Sequence, residues 1–320
     1  MLEYRHLYQA AWAYMAILIG RLDIMATVGT GKHTYELVEN WLKLPDGWVL
    51  GQTAIVTDSQ DRVYLFNRSD HPLIVLDRDG NYLTSWGEGV LTDAHGMFID
   101  AEENLYLPVK NNHVVLKYTR EGNLLLTLGT RDQPSDTGWS GNTSDPAVRA
   151  AGPFNRPTDV WLDPQGDMYI SDGYGNARVH KFSAAGELLF SWGSPGKTAP
   201  GEFHVPHGVW VQTDGSVFVA DRENNRIQIF SPDGTFLDQW TDFARPCDIY
   251  VDSENTMYVV ELDAFVSIVT LDGQLITRWP APTQAEPGTG AHALWLDSRG
   301  DMYVNRNLEG QRLLKYRRNA

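Results

Sequence analysis

One phrase recurs six times along the chain, and it constrains the fold before any single residue is interpreted. The phrase is a short apolar segment and an Asp, a polar turn, then an aliphatic–Tyr pair. It reads Thr57-Asp58 to Val63-Tyr64, Ile99-Asp100 to Leu105-Tyr106 and Leu162-Asp163 to Met168-Tyr169. It returns as Val251-Asp252 to Met257-Tyr258 and Leu296-Asp297 to Met302-Tyr303, and one copy has Gln212 ahead of Val217-Phe218. A second strand pair follows each phrase, usually split by an x-Gly turn: Asp79-Gly80, Glu121-Gly122, Ala185-Gly186, Asp233-Gly234 and Asp272-Gly273. Several units close on a tryptophan, at Trp86, Trp192, Trp240 and Trp279. Short β-branched and aromatic runs between Asp-Gly turns are antiparallel strands. Six units of roughly 40 residues with four short strands each predict an all-β fold, a six-bladed β-propeller.

Ring closure is also predicted. The last unit runs through Leu313-Leu314-Lys315-Tyr316 and lacks the x-Gly turn and final strand. The segment Thr34 to Trp41, ahead of the first unit, is strand-like and otherwise unpaired, so it is expected to supply the missing outer strand and remove an edge. The organisation expected is an N-terminal extension over residues 1–33, helical in part, and a propeller over 34–320. The 320 residues, 42% hydrophobic and 21% charged, suit one globular domain. A net charge of −15 argues against a nucleic-acid partner, and a single cysteine, Cys247, excludes an internal disulfide framework.

Within Met1 to Ile24, the apolar stretch Ala10 to Gly20 is too short to span a membrane and has no clear small-x-small cleavage site. This segment is expected to be dispensable, with Met25 the natural start. A cytoplasmic, monomeric protein that does not bind membranes is the expectation.

Aligning the units on the aliphatic–aromatic pair exposes the chemistry. Eleven residues before the aromatic stand Thr53, His95, Thr158, His207, Cys247 and His292. Three of nine histidines thus share one position, in alternate blades only. That position begins the first strand, which lines the central channel of a propeller. Alternate blades lie about 120° apart, so the three imidazoles converge on the axis. A three-histidine set with an open position suits a catalytic Zn²⁺, and other divalent transition metals accept imidazole too. The bland reading of any one of them is a strand-capping histidine, but three in register argue for a metal.

Four residues after the aromatic stand Arg68, Lys110, Gly173, Arg222, Leu262 and Asn307. Arg68 and Arg222 come from blades three apart and face each other across the channel. Tyr174 lies beside this register in the run Ser171 to Arg178. Alone, each is more often a surface ion pair or a packed loop residue. Together at one channel mouth, the arginines read as a carboxylate-binding pair and Tyr174 as an acid/base. The longest interruption, Arg131 to Gly152, is rich in Gly, Ser, Asp and Pro, and reads equally as a lid or rim loop and as a passive insertion.

Pro157-Thr158-Asp159, the Ser171–Arg178 run, Val205-Pro206-His207 and the stretch Ala220 to Gln228 closely resemble the peptidyl-α-hydroxyglycine α-amidating lyases, a group within the NHL-repeat propellers. The resemblance covers roughly Gln52 to the C-terminus. It implies zinc held by His95, His207 and His292, with Tyr174, Arg68 and Arg222 as catalytic residues. It also implies cleavage of the C–N bond of an N-acyl carbinolamide that carries a carboxylate. The products would be a primary amide and glyoxylate, from a small-molecule or short-peptide substrate. Where that family has a calcium-ligating Asp after its third histidine, this chain has Ala293, which removes that side-chain ligand and leaves only a backbone-carbonyl calcium site open. Two other classes fit the same fold: a non-enzymatic protein-binding scaffold, and a three-histidine metal hydrolase or lactonase.

Overall fold

The computed structural model describes residues 27–263, 265–280, 290–306 and 313–319. Among the described residues it is an all-β structure of six antiparallel sheets arranged as a six-bladed propeller, with one further two-stranded parallel pair, Ser194–Pro195 with Glu202–Phe203. Blade 1 comprises Thr53–Thr57, Val63–Asn67, Leu73–Leu76 and Tyr82–Trp86, and blade 2 comprises Phe98–Ile99, Leu105–Val109, Val114–Tyr118 and Leu124–Leu128. Blade 3 comprises Pro157–Leu162, Met168–Asp172, Arg178–Phe182 and Leu188–Trp192. Blade 4 comprises Pro206–Val211, Val217–Asp221, Arg226–Phe230 and Phe236–Trp240. Blade 5 comprises Pro246–Val251, Thr256–Glu261, Phe265–Thr270 and Leu275–Pro280, and blade 6 begins with Ala291–Leu296, Met302–Arg306 and Leu313–Arg318. The first strands contact one another around the axis. Second strands such as Val63–Asn67 and Val217–Asp221 are buried along their whole length, sandwiched between neighbouring blades. This burial is why they read as unbroken apolar runs rather than alternating ones.

The recurring Asp and Tyr form one hydrogen-bonded unit. In blade 1 the Asp58 carboxylate accepts the N–H groups of Gln60 and Arg62, which closes the turn, and it also accepts the Tyr64 hydroxyl at 3.2 Å. The pairs Tyr106–Asp100, Tyr258–Asp252 and Tyr303–Asp297 repeat this bond at 3.1–3.2 Å. A phenol buried at this site must find an acceptor, and the turn Asp is within reach. The exception obeys the same rule, since blade 4 has Phe218, which carries no hydroxyl, and Gln212 in place of Asp. In blade 3 the Tyr169 hydroxyl turns to the Pro232 carbonyl, and Asp163 pairs with Lys181 at 3.3 Å.

The closing tryptophans and the x-Gly turns form the contact between blades. A Cβ added to Gly122 would sit 3.2 Å from the Trp86 ring of the previous blade, and one on Gly234 would sit 3.0 Å from Trp192. These glycines have φ of +87° and +81°, so the turn demands glycine twice over, for its handedness and for the ring above it.

Closure follows the expected route and extends it. His33–Leu37 pairs with Leu313–Arg318, with Tyr35 opposite Arg318 and Leu37 opposite Tyr316. Trp41 then covers the turn of blade 1, where a Gly80 Cβ would lie 1.9 Å from the Trp41 carbonyl oxygen. Trp41 thereby serves as the closing tryptophan of blade 6. Thr27–Thr30 adds a fifth strand to this sheet. Residues 27–33 therefore belong to the blade rather than to the extension expected over 1–33. The helix expected near the N-terminus and the proposed start at Met25 lie outside the described residues. Among the described residues no helix is long and apolar enough to cross a membrane.

Candidate metal centre

His207 and His292 are the second residues of their blades' first strands. The ladders shift register there, between Pro206 and Val209 and between Ala291 and Ala293. Blades 3 and 5 shift at the equivalent Thr158 and Cys247. A bulge of this kind frees one residue from the pleat and re-aims its side chain. His95 departs from the expected placement, because it precedes the two-residue strand Phe98–Ile99 rather than lying in it. An isolated Ala94–Val109 bridge and the Gly96 N–H donating to the Thr158 carbonyl at 2.8 Å hold it instead.

The three rings meet on the axis. Their centroids are 4.6 Å apart for His95–His207, 5.2 Å for His95–His292 and 4.8 Å for His207–His292. One ring nitrogen from each lies within 4.8 Å of the others, and all three residues are buried. Nδ1 of His95 donates to the Thr158 carbonyl at 2.6 Å, and Nδ1 of His207 to the Cys247 carbonyl at 2.8 Å. With Nδ1 protonated by these bonds, Nε2 presents its lone pair to the axis, as metal-ligating histidines do. Both nitrogens of His292 are buried with no hydrogen-bond partner among the described residues. Burial holds all three imidazoles well below the ordinary histidine value, with each other and nearby cations adding to the effect. Three neutral, converging imidazoles, one without any partner, fit a divalent transition metal.

Two carboxylates brace this triad. Asp159 accepts the Val209 N–H at 3.0 Å, two residues after His207, and Asp248 accepts the Leu294 N–H at 3.0 Å, two residues after His292. Each thus ties the histidine strand of the next blade to its own. Burial raises both, and mutual repulsion adds to the rise at Asp159, while Asp248 is pushed up to about 7. Sequence reasoning gave neither a role. The available signal was their shared position, directly after Thr158 and Cys247 in alternate blades.

The mouth is built by the turns between second and third strands. Arg68, the short 3₁₀ turns Lys110–Asn112 and Arg222–Asn224, and Tyr174 all lie there. Tyr174 is swung over the axis by its flanking glycines. A Cβ on Gly173 would meet the Pro206 carbonyl oxygen at 2.0 Å, and one on Gly175 would meet Asn155 Oδ1 at 2.2 Å. The Tyr174 hydroxyl lies 3.1 Å from His95 Nε2 and 3.4 Å from His207 Nε2, and it accepts Arg222 Nη1 at 3.1 Å. Arg222 is held by Glu223 at 2.9 Å, which Arg245 also contacts at 2.6 Å. Arg68 donates Nε to the Ala94 carbonyl at 2.6 Å and pairs with Gln52 and with Asp93. Burial raises the Tyr174 phenol, but Arg222, Arg68 and Lys110 outweigh it and bring it below the ordinary tyrosine value.

The Arg131–Gly152 segment packs on this mouth. Asn155 Nδ2 donates to the Ser135 carbonyl, Thr137 bonds to the Gly175 carbonyl, and the His204 ring contacts the Thr143 carbonyl at 3.1 Å. It is therefore a rim fixed against the loop that carries Tyr174. Cys247 is buried, its thiol pushed up to about 12 by desolvation, and its role lies in its carbonyl.

The NHL repeat model matches residues 203–230. NHL repeat-containing protein 3 of Homo sapiens is 32% identical over 220 residues, 67% of this chain and 61% of that protein. A probable peptidyl-alpha-hydroxyglycine alpha-amidating lyase of Caenorhabditis elegans is 27% identical over 181 residues, 51% of this chain and 50% of that protein. The chain thus spans between half and about three-fifths of these relatives. A streptogramin B lyase structure superposes with a TM-score of 0.61 at 14% identity, covering 89% of this chain and 98% of that one. A gluconolactonase from Xanthomonas campestris superposes with a TM-score of 0.60 at 15% identity, covering 93% of each chain. At such identity these two likenesses describe the fold alone.

Proposed function

For this chain, a six-bladed β-propeller of NHL-repeat type, we propose a metal-dependent lyase. It cleaves the C–N bond of an N-acyl α-hydroxyglycine-type carbinolamide to a primary amide and glyoxylate. The observation that carries the reading is the Tyr174 hydroxyl, set 3.1 Å from both His95 Nε2 and Arg222 Nη1 above three neutral imidazoles. The sequence likeness to proteins named amidating lyases supports it. A divalent cation held by His95, His207 and His292, zinc in our reading, would supply Lewis acidity toward a substrate oxygen. Tyr174, its proton affinity lowered by three cations, takes the proton of the substrate hydroxyl. The electron pair left on that oxygen then forms the second C–O bond of the aldehyde, and the C–N bond breaks with its electrons going to nitrogen. Tyr174 returns the same proton to that nitrogen, so no water is consumed. Arg222 keeps the phenol oxygen in place throughout, and the buried site excludes bulk water.

A protein-binding scaffold has no use for a buried histidine with two unpartnered nitrogens, because that arrangement costs stability. Metal analysis of purified wild type and His207→Ala tests the centre. Stoichiometric transition metal is expected in the first and not in the second. Incubation with α-hydroxyhippurate should release glyoxylate. Tyr174→Phe should retain its metal while kcat falls by roughly 10²- to 10⁴-fold. A metal-free wild type rejects the centre. A metal-loaded wild type that opens lactones and leaves α-hydroxyhippurate intact favours the hydrolase alternative.

A further inference from the structure

The mouth carries a third cation whose role the catalytic set above leaves open. Lys110 occupies blade 2 at the register of Arg68 and Arg222. Its Nζ stands 4.9 Å from the Tyr174 ring centroid, and its side chain is only 12% exposed. It shares Asp93 with Arg68, at 3.2 Å from Lys110 Nζ and 3.4 Å from Arg68 Nε.

The charges on the two sides of Tyr174 differ. On the blade 4 side, Arg222 and Arg245 face Glu223 and Asp263, so charge is balanced. Arg222 is also committed, with Nε on Glu223 and Nη1 on Tyr174. On the blade 1–2 side, Arg68 and Lys110 share one carboxylate, which leaves one positive charge in excess. Arg68 Nε and Nη1 are used, but Nη2 is buried with no hydrogen-bond partner among the described residues. A buried donor of a charged group left unpaired is costly, and an anion removes that cost. Burial and the Arg68 charge both lower the Lys110 ammonium, with Tyr174 and Asp93 acting against them, so a bound anion there is favourable.

We propose that Arg68 and Lys110 together clamp the substrate carboxylate, while Arg222 serves Tyr174 alone. This rests on the lyase reading for the identity of the substrate, but the ligand chemistry it requires is only an α-hydroxy carboxylate. Lys110 is then a substrate-binding residue, and a neutral ester or amide in place of the carboxylate is bound poorly.

The test compares zinc-loaded wild type, Lys110→Met and Lys110→Arg. The readouts are kcat and KM on α-hydroxyhippurate, and calorimetric binding of mandelate and of mandelamide, which lacks the charge. In Lys110→Met, KM and the mandelate Kd should rise roughly 10- to 100-fold, as for loss of one hydrogen bond to a charged group. The rising limb of kcat against pH should move to higher pH, because Lys110 also lowers the Tyr174 phenol, while mandelamide binding should not change and Lys110→Arg should recover most of the loss. If mandelate and mandelamide weaken equally, Lys110 is structural and the clamp is wrong. It is equally wrong if wild type binds no mandelate or if Lys110→Met binds it unchanged. If wild type does not turn over α-hydroxyhippurate, yet mandelate alone weakens in Lys110→Met, the clamp stands and the lyase reading fails.

Discussion

At the scale of single residues, the three imidazoles and Tyr174 are tuned by different forces, as the proposed division between metal binding and proton transfer requires. The imidazoles are kept neutral by burial, whereas Tyr174 is kept acidic by cations around a buried phenol. Removing one cation should therefore move the phenol in a known direction. In Arg222→Gln the phenolate loses its nearest positive charge, so the Tyr174 pKa rises. The rising limb of kcat/KM against pH, which follows phenolate formation, should shift to higher pH, and metal content should stay the same. An unshifted limb in an active variant would mean that another group takes the proton. His95, His207, His292, Arg68, Arg222 and Tyr174 could all be placed from the sequence, because repeat registers convert spacing into position around an axis. Lys110 was visible in the same register, but its significance depends on Asp93 and on an Arg68 donor left unpaired, which only packing reveals.

At the scale of elements, a blade is a four-stranded sheet stapled to its neighbours by a tryptophan over a glycine turn. Gly234 has φ +81° and lies under Trp192. Gly234→Ala should cost at least about 2 kcal/mol, from backbone strain and displacement of the ring together. Chemical denaturation would measure this, and a loss below about 0.5 kcal/mol would show that the turn does not set the blade contact. The bulges at Pro206–Val209 and Ala291–Ala293 belong to this scale as well. Alternation of side chains along a strand gives no warning of them. Without them the histidines would stay within the pleat, and the Asp159 and Asp248 bonds to the next blade would lose their register.

At the scale of the whole molecule, Asp159 and Asp248 link charge to stability across blades 3 to 6. Both carboxyls have folded values raised above their unfolded ones, by burial and, at Asp159, by each other. Their contribution is therefore fully present below the unfolded value and is lost as pH rises through the folded one. Relative to Asp248→Asn, which still offers an oxygen to the Leu294 N–H and does not titrate, the wild type should lose melting temperature as pH climbs from the ordinary carboxylate value of 3.8 toward about 7. The three histidines held neutral by burial act in the opposite direction in both proteins. A difference between the two proteins that does not change with pH rejects this origin. The sequence by itself determined the blade count, the closing strand from the N-terminal side and the alternate-blade histidines. Each is a periodic property, and in a closed ring a period along the chain is an angle in space. Tertiary structure alone decided the start of the blade 6 sheet at Thr27, the placement of His95 ahead of its strand, the bracing carboxylates and the uneven charge around Tyr174. These arise where side chains from different blades meet in a low-dielectric channel, and no spacing within one repeat encodes the distances between them.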